Sequence, residues 1–248
     1  MKEILINFIY ISILNNKIYK SYRTVINQTI VELNSESAIL ALSTLDSIKT
    51  NFDISPQEFI TYAETDLAND YSHNTINALS NAKRALDCQL DSILILLGYY
   101  NLSQKKFWSF PKKVELINDL GIIAPNILRK INKQRNLLEH QFVKPSREDV
   151  EDFLDITTLF ISSTKIFTLN FPSIMHIHDR NVEKIYILEN EYEHSQINIF
   201  VYKFKDYLPI YPSQIKETET DLLEKRSFSI IDNDYNQLLK YYLNLIKK

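Results

Sequence analysis

Three polar side chains that could carry out chemistry interrupt an apolar repeat in the middle of the chain: Arg135, Asn136 and His140. On a helix, Asn136 and His140 would share one face, with Arg135 at its edge. Arginine donates two parallel hydrogen bonds to a phosphate, and histidine exchanges a proton near neutral pH. RNA strand cleavage needs both operations. The residue types and their spacing therefore indicate a site for phosphodiester cleavage.

Simpler roles for the same residues remain open. Arg135 can form an ion pair with Glu139 one helical turn away, which would only solvate the edge of the helix. His140 can be a histidine placed near a helix end, where the helix dipole favours it. The joint presence of an arginine, an asparagine and a histidine favours the chemical interpretation.

Start and stop signals divide the middle of the chain into helices. A capping-box spacing with proline begins a helix at Ser55. Apolar residues at helical spacing extend from there to Gly98. The signals predict further helices from Pro111 to Gly121, from Pro125 to Pro145, and from Ser146 through Ile161. Together they predict an antiparallel bundle of two long helices, one short helix and one of medium length.

The two ends of the chain differ from this middle part. Residues 17–52 carry apolar side chains at helical spacing, for example Ala38, Ala41, Leu42 and Leu45. After Phe171 the pattern turns β-branched and aromatic, which predicts two or three antiparallel strands before a last helix from Tyr235 to Ile246. We therefore expect a mainly α protein with three parts: a mostly helical N-terminal extension (1–54), a helical bundle (55–170) and a small C-terminal α/β extension (171–248).

Composition limits the function. The 248 residues contain only two glycines, which disfavours glycine-rich phosphate loops. A net charge of −3 means that any nucleic-acid surface must be a local patch. The apolar stretch from Ile4 to Leu14 is too short to span a bilayer, and the single cysteine, Cys88, fits a buried thiol in a reducing compartment. We expect a cytoplasmic protein without a membrane span.

The segment around Arg135 resembles the HEPN domain (higher eukaryotes and prokaryotes nucleotide-binding). That family is an all-helical bundle with an arginine and a histidine separated by four to six residues, usually with Asn, Asp or His directly after the arginine. Here Arg135, Asn136 and His140 match that motif. The preceding helix with residues 81–87, and Pro145 followed by an acidic helix start, add to the likeness, which covers roughly residues 55–168.

The resemblance implies a metal-independent endoribonuclease that needs no cofactor and acts as a homodimer, with two motifs facing each other. His140 would move protons at the ribose 2′-hydroxyl and the leaving oxygen. Arg135 would stabilise charge on the phosphate, and Asn136 would orient either group. A toxin or defence role, with an antitoxin or regulatory protein as partner, is the usual setting of such proteins. Phe142 stands where family members regulated by nucleotidylation often carry a tyrosine, so that regulation is not expected.

Other residues are candidates for RNA binding. Arg129 and Lys133 precede the motif on the same predicted helix. Residues 105–113 interleave four lysines with three aromatic residues, which suits unpaired bases and phosphates. We single out Lys105, Lys106 and Trp108 there. Alternatively, the aromatic side chains fill the end of the bundle while the lysines remain in water.

Two other functions are compatible with the sequence. The helical bundle can be a non-catalytic HEPN-like module that binds RNA, a nucleotide or a partner protein. His176 and His178, on one face of a predicted strand with Asp179 adjacent, can belong to a metal-dependent hydrolase. No further metal ligands are evident in the sequence, so we expect no metal site.

Overall fold

The computed structural model describes residues 38–122, 144–169, 171–179, 183–203, 222–232 and 234–246. These residues form six α-helices and five β-strands. The helices are α1 (Pro56–Ala68), α2 (Asn74–Leu96), α3 (Tyr100–Lys105), α4 (Phe110–Asp119), α5 (Arg147–Leu169) and α6 (Tyr235–Ile246). The strands are β1 (Ala38–Asp46), β2 (Phe171–Asp179), β3 (Lys184–Glu191), β4 (Gln196–Lys203) and β5 (Leu222–Ser229).

The five strands form one antiparallel sheet in the order β1-β2-β3-β4-β5. Chain order and sheet order coincide, and a short 3-10 turn (Tyr192–His194) connects β3 to β4. The described chain is therefore mixed α/β. The prediction of a mainly α protein built on a helical bundle is wrong, because the sheet is larger than a small extension.

The strand β1 is the clearest correction. Its apolar residues Ala38, Ala41, Leu42 and Leu45 have the spacing of a helix face, yet the backbone is extended and pairs with β2. Register shifts around Thr44 show that the pairing is irregular. Pairing with a strand more distant in the chain has overridden the local helical pattern. The prediction of helix for this stretch is wrong for that reason.

The other edge strand, β5, was not predicted at all. Its first half is exposed, and it carries three consecutive charged residues, Glu224, Lys225 and the partly exposed Arg226. Such residues are typical of an edge strand, where charges discourage pairing with another chain. The three predicted strands and the last helix are confirmed as β2, β3, β4 and α6, so the error concerns the two edges of the sheet.

The helix starts follow local signals. At α1, Ser55 Oγ accepts a hydrogen bond from Glu58 N, and the Glu58 carboxylate accepts one from Ser55 N at 2.8 Å. The helix ends at Ala68, so the expectation of one helix reaching Gly98 is wrong. A turn separates α1 from α2, in which Asn74 Nδ2 donates to Asn69 O at 2.9 Å. The two helices can therefore fold back and pack together.

One hydrophobic core joins the helices to the sheet. Helix α2 packs against α1 and α5, and Gln89 on α2 donates a buried hydrogen bond of 2.8 Å to Thr164 on α5. One face of the sheet contributes buried side chains to the same core, among them Met175, Leu188 and Ile199. The longest described helices have 23 residues, but no helix in the described ranges is both long and apolar enough to cross a membrane.

The C-terminal end of α2 is where the helices and the sheet are connected most directly. Helix ends leave carbonyl groups without partners inside the helix. Here three carbonyls, one from the last residue of α2 and two from the residues just after it, accept hydrogen bonds from distant side chains. They are Leu96 O from Asn190 Nδ2 at 3.3 Å, Leu97 O from Tyr235 Oη at 2.9 Å and Gly98 O from Ser195 Oγ at 2.6 Å. This junction fixes the helices relative to β3, β4 and α6.

Candidate functional site

The residues on which the nuclease interpretation depends lie outside the described part of the chain. Arg135, Asn136 and His140 fall between residues 123 and 143, as do Arg129 and Lys133. Their roles therefore stay predictions from the sequence. The candidate residues that the structure does describe are Lys105, Lys106 and Trp108.

Lys105 is the last residue of α3, and Lys106 and Trp108 lie in the turn that follows it; we call residues 105–108 the lysine–aromatic turn. Helix α3 ends at Lys105, and α4 begins two residues after Trp108 with Pro111 in its first turn. Two backbone hydrogen bonds shape the turn: Phe107 N donates to Gln104 O at 3.2 Å, and Trp108 N donates to Ser103 O at 2.9 Å. Both bonds connect the turn to the last residues of α3.

The aromatic side chains of this region point in different directions. Trp108 is half-buried against the core, with its ring centroid 5.9 Å from that of Tyr99, and Phe110 is buried. Both therefore contribute to packing, as in the alternative in which the aromatic side chains fill the end of the helices. Phe107 differs, since 92% of its surface is exposed. It is the aromatic side chain of the turn that is accessible to a ligand.

The four lysines also fall into two groups. Lys112 Nζ lies 2.7 Å from Glu115 Oε2, and Lys113 Nζ lies 2.5 Å from Asp91 Oδ1. Lys105 and Lys106 are exposed and make no ion pair with any acidic side chain of the described residues. A protein of net charge −3 thus has a local positive patch beside the exposed Phe107 ring.

A shallow groove of about 360 Å³ lies on another part of the surface, between the start of α1 and the middle of α2. Its lining includes Phe52, Phe59, Asp87 and Cys88. Burial and the nearby Asp91 and Asp87 carboxylates raise the pKa of the Cys88 thiol to about 11. The thiolate is the nucleophilic form of cysteine, so this groove provides no activated nucleophile at neutral pH.

The histidine pair occupies β2 as expected. The His176 and His178 rings lie on one face of the strand, with centroids 6.5 Å apart. His176 is 3% exposed, and its Nε2 has no hydrogen-bond partner in the described structure. Burial, with a contribution from His178, lowers the pKa of His176 to about 4. The described residues contain no group of three or more His, Cys, Asp or Glu side chains that could hold a metal ion.

Comparisons with protein-family models, with curated proteins and with solved structures find no match to this chain. The functional argument therefore depends on the chain's own residues. Among these, sequence reasoning selected Trp108 as the aromatic of the lysine-rich stretch, whereas Phe107 is the exposed one. The usual sequence signal for such a turn is a glycine, and position 107 is not a glycine. The sequence therefore did not predict that the chain turns at Phe107 and exposes its ring.

Proposed function

We propose that this protein is a metal-independent endoribonuclease that uses Arg135, Asn136 and His140. The observation that carries the proposal is the combination of an arginine directly followed by asparagine, with a histidine four residues after that asparagine. This combination resembles the HEPN motif. Because the described fold is mixed α/β, the proposal depends on these three residues and not on a helical-bundle architecture.

In the proposed reaction the ribose 2′-oxygen attacks the adjacent phosphorus, and the bond from phosphorus to the 5′-oxygen breaks. His140 accepts the proton of the 2′-hydroxyl, and the leaving 5′-oxygen takes up a proton from the protonated imidazole or from water. Arg135 hydrogen-bonds the phosphate oxygens as negative charge develops on them, and Asn136 orients the reacting groups. The products are a 2′,3′-cyclic phosphate and a 5′-hydroxyl. The oxidation state of no atom changes, so the reaction needs no redox cofactor.

The described surface supports RNA as the substrate. A protein of net charge −3 has to bind a polyanion through a local cluster of cations. Lys105 and Lys106 supply such a cluster, since both are exposed and neither is neutralised by an ion pair within the described part of the chain. Arg129 and Lys133, which precede the motif, are further candidates for phosphate contacts.

The setting of the activity is proposed on the resemblance alone. We expect a cytoplasmic homodimer in which two motifs contribute to one cleavage site, in a toxin or defence role and under the control of an antitoxin or another regulatory protein. Light scattering on the purified protein measures the oligomeric state, and a monomer that cleaves RNA at full rate would contradict the dimeric site.

The decisive experiment compares wild type with His140→Ala on a mixture of structured and unstructured RNAs in the presence of EDTA. We expect wild type to cleave and to leave 2′,3′-cyclic phosphate and 5′-hydroxyl ends, and His140→Ala to be inactive with an unchanged melting temperature. His194→Ala is the matched control, because His194 is a histidine outside the motif whose side chain is 73% exposed. Two results would contradict the proposal: cleavage of RNA by pure His140→Ala, or loss of wild-type cleavage when EDTA is added.

A non-catalytic RNA-binding module is the second candidate function, and the lysine–aromatic turn favours it independently of the motif. Base stacking and phosphate contacts give affinity without any reaction. If wild type leaves every RNA intact but binds RNA with measurable affinity, this second function replaces the first. Binding of a nucleotide or of a partner protein instead of RNA would indicate the module without the RNA specificity.

A further inference from the structure

Three of the helices in the described ranges end with the same pair of backbone hydrogen bonds. At the ends of α2, α3 and α4 a backbone N–H donates to the carbonyl five residues before it. These bonds run from Tyr99 N to Leu94 O at 2.8 Å, from Trp108 N to Ser103 O at 2.9 Å, and from Ile122 N to Ile117 O at 3.0 Å. In each case the preceding residue donates to the carbonyl three residues before it. This is the Schellman arrangement, which places one residue in the left-handed conformation.

The residue in that left-handed position is glycine in two of the three cases. Gly98 has φ 74° and Gly121 has φ 69°, and these are the two glycines of the chain. The third position is occupied by Phe107, with φ 49°. A side chain with a Cβ is strained in this conformation, and glycine is the residue that best fits it. The backbone of the turn therefore does not explain a phenylalanine at position 107.

Packing does not explain it either. The Phe107 side chain is 92% exposed, whereas Trp108, the next residue, supplies the apolar contact that normally accompanies this type of helix end. An exposed aromatic ring gains nothing from the hydrophobic effect. Phe107 thus combines an unfavourable backbone conformation with an unfavourable exposure. Strain of this kind is characteristic of positions retained for binding.

The surroundings indicate what Phe107 binds. Lys105 and Lys106 precede it directly, are exposed, and have no acidic partner within the described residues. An exposed aromatic ring beside two lysine cations complements a polymer that carries both aromatic faces and negative charges. An RNA strand has both. In a duplex the faces of the bases are covered by their neighbours, so a single protruding ring can stack only on an unpaired base.

We propose that Phe107 stacks on an unpaired RNA base while Lys105 and Lys106 contact the phosphates next to it, which makes the protein selective for single-stranded RNA. The identification of the polymer as RNA rests on the proposed function. The stacking itself does not depend on catalysis, so it can be tested on an RNA that cannot be cleaved.

The experiment measures fluorescence anisotropy of a labelled single-stranded 2′-O-methyl oligonucleotide, in which the attacking hydroxyl is blocked. Phe107→Gly is the main variant. We expect it to bind about tenfold more weakly, as for loss of one stacked base, and to melt at a higher temperature than wild type, because glycine relieves the strain at φ 49°. A change that stabilises the fold and weakens binding separates a binding residue from a structural one.

Four further measurements complete the test. Phe107→Tyr retains an aromatic ring and should bind as wild type does. Lys105→Gln combined with Lys106→Gln should weaken binding and make it less dependent on salt concentration. Ile231→Ala is the matched control, since Ile231 is an apolar side chain that is 87% exposed and lies in another turn, and it should leave the affinity unchanged. A duplex of the same sequence should bind more weakly than the single strand.

Each remaining outcome overturns the proposal. A stacking role would be excluded if Phe107→Gly bound the oligonucleotide as tightly as wild type does. It would also be excluded if wild type bound single strand and duplex equally, or did not bind the oligonucleotide. A change of oligomeric state in Phe107→Gly with unchanged affinity would show that a second copy of the chain covers the ring. The nuclease proposal is tested by a separate experiment, and it fails if wild type does not cleave ordinary RNA.

Discussion

Replacing Gly98 by alanine should test the junction that connects the helices to the sheet. Gly98 ends α2 with φ 74°, a conformation that favours glycine. A Cβ added there would lie 2.6 Å from Tyr235 Oη, 2.9 Å from Ser195 Cα and 3.3 Å from Ser195 Cβ. The first two distances are well below normal van der Waals contact, and the Ser195 Cα is backbone. The methyl group therefore cannot be accommodated without movement of α6 or of the turn before β4.

The expected loss has two parts. The left-handed conformation costs an alanine roughly 1–2 kcal/mol relative to glycine. Displacing the Tyr235 hydroxyl breaks its hydrogen bond to Leu97 O and leaves buried polar groups without partners, which costs about 1–3 kcal/mol. We expect Gly98→Ala to lower the free energy of unfolding by about 3.5 kcal/mol, the middle of the summed range of about 2–5 kcal/mol.

The free-energy cost of Gly98→Ala is measured by urea unfolding of wild type, the two single variants and the double variant with Tyr235→Phe. Tyr235→Phe removes the nearest oxygen, so Gly98→Ala should cost at least about 1 kcal/mol less in that background than in wild type, through the contact that the two residues share. The reasoning is refuted if Gly98→Ala alone costs less than 1 kcal/mol, the lower bound of the backbone strain, or if the two changes are additive. Additivity would mean that the close approach to Tyr235 has no energetic consequence.

Three other predictions concern polar groups that are buried or half-buried. The pKa of His176 is lowered from 6.5 to about 4, so the unfolded chain binds a proton that the folded chain does not, and the free energy of unfolding falls as the pH drops from 6.5 towards 4. Urea unfolding should show that wild type loses about 2.5 kcal/mol more than His176→Leu between pH 7 and pH 4.5. Parallel losses in the two proteins would contradict the burial of the imidazole. Thr164→Val removes the acceptor of the hydrogen bond from the Gln89 side-chain amide, so chemical denaturation should report a free energy of unfolding that is about 1–3 kcal/mol lower. An unchanged denaturation midpoint would mean that the amide finds another partner. With its pKa raised to about 11 from 9.0, Cys88 should react with a thiol reagent at pH 8 about 100-fold more slowly in native than in urea-unfolded protein; equal rates would show that the thiol is not shielded.

The sequence determined those elements whose signals are carried by neighbouring residues. The capping box of Ser55 and Glu58 starts α1, Pro111 and Gly121 bound α4, and the amphipathic stretch from Tyr235 to Ile246 is α6, because each signal acts within one or two helical turns. The catalytic hypothesis also depends on neighbouring residues, because it is based on residue types at a fixed spacing along one predicted helix.

Only the tertiary structure decided the rest. The spacing of Ala38, Ala41, Leu42 and Leu45 fits a helix, and the segment is a strand because β2, more than 120 residues further along the chain, offers it a hydrogen-bonding edge. Phe107 and Trp108 are adjacent aromatic residues, and only the chain reversal between α3 and α4 places one ring against Tyr99 and the other in water. Pairing and burial depend on groups that are distant in sequence, so local pattern and propensity cannot specify them.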